Sequence, residues 1–398
     1  MMNSASRTGK RHEPLFHITR RTEIGAAHRC LIRAAAIILG MLLSALVVVI
    51  LTDYNPIDIY KAFFEGTFGS PRKLWVTLQG TAVLLCIAIA VTPAFRMRFW
   101  NTGAEGQVLV SALAAAACMV YAGDRLPSAV LLALMFVASI VAGIIWAVIP
   151  AICKALWNTN ETLFTLMMNY VAAQLVSFCI MVWVPNGSRV LGVLNLSSKN
   201  GWFPEIAGQK YLLNILIVLV LTALIYVYLQ FSKHGYEISV VGESENTARY
   251  IGISVKKVII RTMVLSGALC GVAGMILVAG ASHTVTSDLV GGDGFTAIMV
   301  SWLAKFNPIF MLLTSFLLIF LRRGASQMAT SCNLNESVAD IITGIIIFFI
   351  IGCEFFIRYR VNFRHRTKVE AVAEPEKPAE PEEPEAIQET EEKGADAQ

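Results

Sequence analysis

Apolar runs of membrane-crossing length recur along almost the whole of this 398-residue chain, and they constrain its fold more than any motif does. A helix needs roughly 20 apolar residues to span the hydrocarbon core. Runs of that kind occupy about 31–52, 74–95, 106–122, 127–153, 162–184, 211–231 and 258–281. Two shorter ones follow at about 294–305 and 308–321, and a last full one at 337–357. The sequence therefore predicts an all-α, polytopic membrane protein with about ten transmembrane segments. Charged residues make up only 15% of the chain, against about a quarter in soluble domains. No stretch of soluble-domain size remains once the apolar runs are removed.

Basic residues in the connections predict orientation. Arg7, Lys10, Arg11, Arg20, Arg21, Arg29 and Arg33 precede or open the first run. That run is longer than a signal-peptide core of about 7–15 residues, and no small-residue cleavage site follows it. It reads as an uncleaved first span. Arg96, Arg98, Lys154, Lys233, Arg249, Lys256, Lys257 and Arg261 fall on alternate connections, and Arg358, Arg360, Arg364, Arg366 and Lys368 follow the last run. Both termini are expected in the cytoplasm, with Arg322 and Arg323 facing outward against the rule. Three parts result: a basic cytoplasmic segment 1–30, a transmembrane domain 31–357 with a cytoplasmic loop at about 233–257, and a tail 358–398. The tail turns acidic, with eleven carboxylates against two lysines from Glu370 onward, and its Glu/Pro composition predicts disorder. The basic charge of the body sits beside apolar runs, so it reports orientation and not nucleic-acid binding. Outside, residues 183–210 form the longest polar connection, either a plain loop or a docking platform.

Eight cysteines show neither CxxC pairing nor zinc-site spacing, so no metal is expected. The chain holds no GxSxG, HExxH or GxxxxGK[ST] motif and no catalytic residue is expected. Polar groups inside spans are costly and therefore informative. Asn101, Glu105 and Gln107 surround Gly103 and Gly106 at the start of the third span. They read either as a broken helix lining a cavity or as a polar helix start at the interface. Glu161, Thr165 and Asn169 share one face of the fifth span. Thr165 and Asn169 could meet a solute bearing hydroxyls and ring nitrogens, or bond between helices, while Glu161 is expected at the cytoplasmic mouth. Gly267, Gly271 and Gly274 mark a close-packing helix face. His283 reads as a loop residue or a solute contact near the outer mouth. Ser244 can cap a helix over 245–251 and Gly252 can end it. A helix that short is unstable alone, so it reads as a loop helix or as one seated in a partner's groove.

Five stretches carry a resemblance: FWNTGAEGQ at Phe99–Gln107, NETLFTLMMNY at Asn160–Tyr170, GYEISVVGESENTARYIGI at Gly235–Ile253, LSGALCGVAG at Leu265–Gly274 and GFTAIMVSWLAKFNP at Gly294–Pro308. In this order and spacing the chain resembles the importer permeases for branched-chain amino acids, ribose and nucleosides, most closely their nucleoside and simple-sugar branch. The resemblance implies a multi-pass protein of the bacterial cytoplasmic (inner) membrane that binds no cofactor. It implies three kinds of companion besides lipid: a second permease subunit, an ABC ATPase that uses the ATP through two ATPase domains, and an extracytoplasmic solute-binding lipoprotein. It implies that the Ser244–Gly252 helix couples to the ATPase through Glu237, Ser244, Asn246, Ala248, Arg249, Tyr250 and Gly252. It also places the path near GAEGQ and a shortened eighth span, at Asn101, Glu105, Gln107, Thr165, Asn169, Phe295 and Thr296. Trp100, Thr102, Thr296–Ala297 and Ala304 depart from the family's usual Phe, Ile, Asp-Gly and Gly. Nucleosides or simple sugars lead as solutes, with riboflavin and branched-chain amino acids as alternatives. An ion-coupled secondary transporter would need ionisable groups in mid-span, and the sequence shows almost none.

Overall fold

The computed structural model describes residues 16–20, 25–51, 55–184 and 191–363. Residues 25–355 form one compact unit. Its helices are α1 (Ala26–Leu51), α2 (Pro56–Phe68), α3 (Pro71–Arg96), α4 (Ala104–Ala122), α5 (Ser128–Trp157), α6 (Glu161–Trp183), α7 (Leu212–Phe231), α8 (Lys233–Glu243), α9 (Glu245–Tyr250), α10 (Val255–Leu277), α11 (Asp293–Leu303), α12 (Pro308–Ser331) and α13 (Glu336–Arg358), the last running on past the unit. In a separate unit, Phe16–Arg20 and Tyr359–Phe363 pair as an antiparallel ribbon, Phe16 opposite Phe363. The acidic tail and Pro185, Asn186, Gly187 and Ser188 lie outside the described residues.

Nine helices among the described residues are long and apolar enough to cross a membrane, so the chain is a multi-pass helical membrane protein. Burial separates a centre from a rim. The most apolar windows of α3 and α10 are 72% and 78% buried, whereas those of α5, α6, α7 and α13 are 22–28% buried and expose Leu, Ile, Val and Phe outward. An outward apolar surface of this kind is what lipid requires.

Glycines let the central helices touch. A Cβ on Gly267 would stand 2.5 Å from the Gly143 carbonyl of α5, one on Gly271 2.6 Å from Ile140 Cα, and one on Gly274 2.6 Å from the Val108 carbonyl of α4. Backbone cannot yield at such distances, and without a hydrophobic drive between helices in lipid, close van der Waals approach is what holds them.

Two ends of the bundle are defined by contacts. At one, the 191–211 segment covers the end of α4 and the starts of α5 and α10's far end: Asn200 Nδ2 donates to Gly123 O at 2.8 Å, and Leu194 N to His283 O at 2.8 Å. At the other, Lys154 and Glu161 join α5 to α6 by an ion pair of 2.9 Å, and α8 and α9 lie alongside.

Three features depart from the sequence-based expectation. Helix α2, capped by Asn55 and started by Pro56, was not expected; it packs its Phe63 against Phe320 and Gly324 of α12. Helix α8 precedes the expected short helix α9. The run expected to stop at 321 continues to Ser331, because Arg322 and Arg323 lie within α12 and not in an outer loop. Both therefore belong to the helix and not to a connection.

Candidate functional site

Helix α4 begins inside the bundle. Its first turn packs against Thr165 and Asn169 of α6, four and eight residues from that helix's start, hence about 6 and 12 Å along it. The chain reaches this depth through residues 97–103, where Arg98 takes a positive φ of 61° and no helix forms. Several backbone groups freed by the break find side chains. Asn169 Oδ1 accepts from Gly106 N at 2.9 Å, and its Nδ2 donates to Thr102 O at 2.9 Å. Thr165 Oγ1 accepts from Thr102 N at 3.2 Å. Asn101 Oδ1 accepts from Gly103 N at 3.1 Å and from Gln107 Nε2 at 3.2 Å, while its Nδ2 donates to Ser266 Oγ at 3.4 Å. Buried backbone groups must be paired, and these polar residues pair them.

Between α10 and α12 the chain runs through the bundle in two parts. From His283 and Thr284, bonded to Leu194 and Leu191 at the loop-covered end, a non-helical stretch descends to Gly292. Helix α11 then completes the passage, its Ser301 Oγ donating to Ala88 O at 2.8 Å and its Trp302 stacked on Trp100 at 5.5 Å. At 11 residues α11 is about 16 Å long, half a bilayer core. The starts of α4 and of the short α11 meet: Glu105 Oε1 accepts from Gly292 N at 2.9 Å and Oε2 from Gly294 N at 2.7 Å. Both oxygens accept, so the carboxylate caps the positive end of α11, where unpaired N–H groups and the helix dipole favour an anion. A side chain at Gly294 would meet Glu105 N at 2.5 Å, so only glycine admits this approach.

The structure thus gathers all seven expected path residues around one junction. Asn101, Gln107 and Thr165 are at most 1% exposed and brace the break without lining open space. Glu105 and Asn169 act as caps, Phe295 is turned outward, and Thr296 Oγ1 accepts from Arg322 Nη2 at 3.4 Å. Arg322 in turn pairs with Asp293 at 2.6 Å. Asp293, Gln79 and Asn214 were not singled out in the sequence, and Arg322 was noted there only as an exception to the orientation rule. No three His, Cys, Asp or Glu side chains gather as a metal would need among the described residues.

A cavity of about 670 Å³ opens under the 191–211 segment, where the Trp202 and His283 rings stack at 3.8 Å and 7°. Burial pushes the His283 imidazole below its usual range, the Val278 backbone opposing this and Lys210 adding to it.

At the opposite end Ser244 Oγ accepts from Thr247 N at 3.2 Å and Gly252 ends α9 with φ 84°, as the sequence predicts. Ala248 is buried beneath the helix, Glu237 is half-buried on α8, and Asn246 and Arg249 are exposed. Tyr250 is 92% exposed, an aromatic ring with nothing of its own chain to cover it. A groove of about 590 Å³ runs beside α9, walled by Lys154, Asn158, Glu245, Arg249 and Lys256.

Comparison with known proteins gives a consistent result. Residues 76–351 match the model of the family described as branched-chain amino acid transport system, permease component. The chain is similar to a glucose ABC transporter permease of Haloferax volcanii, 29% identical over 79% of this chain and 86% of that protein. It is also similar to a guanosine ABC transporter permease of Bacillus subtilis (29%, over 80% and 92%) and a nucleoside ABC transporter permease of Lactococcus lactis (29%, over 81% and 90%).

Proposed function

Since this chain belongs to the family of branched-chain amino acid transport permease components, we propose that it is the membrane-spanning permease of an ATP-driven importer for nucleosides or simple sugars. The observation that carries this reading is the pairing of two features at opposite depths. Inside the bundle, the start of α4 meets the start of the short helix α11 at Glu105, as in a path that must be both closed and movable. At the α8–α9 end, a capped two-turn helix presents Tyr250 and Arg249 beside a groove.

In this reading the α8–α9 end faces the cytoplasm, and so do both termini. An ABC ATPase seats α9, a second permease subunit completes the passage, and a solute-binding protein docks over the 191–211 segment. ATP binds to the ATPase, and its preference for one arrangement of the permeases shifts the population of open states. The solute class rests on the relatives, two of which are named for guanosine or nucleosides and one for glucose. The ion-coupled alternative needs titrating groups free to exchange protons. The carboxylates at depth, Glu105 and Asp293, are instead bonded to backbone N–H groups and to a guanidinium.

The test is uptake of labelled guanosine and glucose in a host with and without this chain. Uptake should need internal ATP and persist with a protonophore. The purified chain alone in vesicles, if it concentrated either solute against a gradient, would refute the reading.

A further inference from the structure

A second cavity, about 490 Å³, lies between α3, α10, α12 and α13 and reaches from Tyr211 at the loop-covered end down to Asp293 at the start of α11. Its size falls within the range of about 300–1,000 Å³ typical of small-molecule sites. We propose that this cavity holds a nucleoside in transit, its hydroxyls met by the charged floor and Gln79 and its base by the apolar walls; the inference rests on the importer reading and narrows its solute.

The strongest observation is Gln79. Its side chain lines the cavity, the residue is 5% exposed, and its amide orientation is determined by neighbours. Asn214 Nδ2 donates to the Gly280 carbonyl at 3.0 Å, which can only accept, and also to Gln79 Oε1 at 2.8 Å. The Gln79 NH₂ is left buried without a partner. An unpaired buried donor is costly, and an acceptor in the cavity removes that cost.

Charge selects the solute's ionisation. Arg322 and Arg323 face Asp293 and Asp340 across the cavity, so its lining is formally neutral. Arg322 is paired with Asp293, whereas Arg323 and Asp340 enter none of the ion pairs among the described residues. A solute with net charge would meet an opposing charge wherever it met a partner. An uncharged solute with adjacent hydroxyls can instead accept from a guanidinium and donate to a carboxylate. The rest of the lining sets apolar Val76, Val83, Leu277 and Ile319 beside the hydroxyls of Tyr211, Ser282, Ser326 and Thr343. The apolar part suits the flat face of a heterocycle, which a monosaccharide lacks, and the polar part suits the hydroxyls of a ribose. Thr296, bonded to Arg322, links the cavity floor to the α4–α11 junction, so an occupant touches the element that must move.

The experiment uses the complete transporter. Ser326→Cys places a thiol in the cavity wall by a one-atom change. Modification with a bulky methanethiosulfonate, verified by mass, should lower [³H]guanosine uptake at least about tenfold in the variant and leave the wild type unchanged, and unlabelled guanosine, but not glucose or leucine, should slow it. Gln79→Leu should raise the apparent KM for guanosine by about tenfold, the effect of one lost hydrogen bond. A thiol that never reacts, a modified variant that still imports guanosine normally, or equal protection by glucose overturns the inference while the importer reading stands. A wild-type transporter that imports none of guanosine, glucose, riboflavin or leucine refutes the importer reading itself, and this inference with it.

Discussion

Replacing Glu105 by Gln removes one charge and one acceptor from the junction between α4 and α11, and the cost can be worked from the geometry. Glu105 accepts two backbone N–H groups, at 2.9 and 2.7 Å. A hydrogen bond to a charged group contributes about 1.5–3 kcal/mol, and an anion at a helix N-terminus up to ~2 kcal/mol in a partly buried setting. The glutamine keeps one neutral acceptor oxygen and turns an NH₂ toward a backbone donor. Against this, an uncharged side chain is cheaper to bury. The net loss is about 2–3 kcal/mol, which at about 2 °C per kcal/mol for a chain of this size lowers the melting temperature by about 4–6 °C. Glu105→Asp, one methylene shorter, should retain one of the two bonds and fall between. The assay is thermal unfolding of the detergent-purified permease, with solute uptake measured in parallel; uptake should fall with the melting temperature because α11 loses its anchor. If Glu105→Gln melts within about 1 °C of the wild type and transports normally, the carboxylate does not tie the starts of α4 and α11 together.

Gly274→Ala should destabilise by about 1–3 kcal/mol through overpacking, since its Cβ would meet Val108 O and Ala112 N of α4; unchanged unfolding would contradict that contact. Arg249→Glu should abolish uptake without shifting the melting temperature, because its pairing with Glu245 is exposed and contributes little to the fold; normal uptake would argue against α9 as the docking element. His234, bonded to Tyr228 Oη at 3.0 Å and Thr262 Oγ1 at 3.4 Å, is held below the usual histidine range mainly by burial, with Arg261 acting the same way and Glu237 opposing it. Below pH 6.5 the unfolded chain takes up the proton more readily, so stability present above that pH should decline as acid is added. Melting curves of wild type and His234→Gln between neutral and acid pH should show that decline only in the wild type.

Length and hydropathy alone determine much of this protein, because a span is a local property: about twenty apolar residues suffice whatever surrounds them. The helices α1, α3–α7, α10 and α13 follow from that. The α9 cap is equally local, Ser244 reaching only to Thr247, and so is the glycine face of α10. The cluster at 101–107 also declared itself, since polar groups and glycines at a span's start are conspicuous. What it does was not legible. Glu105 and Gly294 are 189 positions apart, and nothing in either neighbourhood names the other. Helix α2 escaped notice because its apolar stretch is too short to count as a span and gains its place by packing on α12. Arg322 and Arg323 were misplaced for a related reason: hydropathy treats a charge as an end of a span, and only the packing of α11 against α12 brings Asp293 to Arg322. Gln79 looked like one polar residue in an apolar helix until Asn214 and Gly280, from two other helices' ends, set its orientation. Spans are specified by the solvent they face, residue by residue, whereas a site within them is made by partners far apart in the chain, and only the folded structure decides which partners meet.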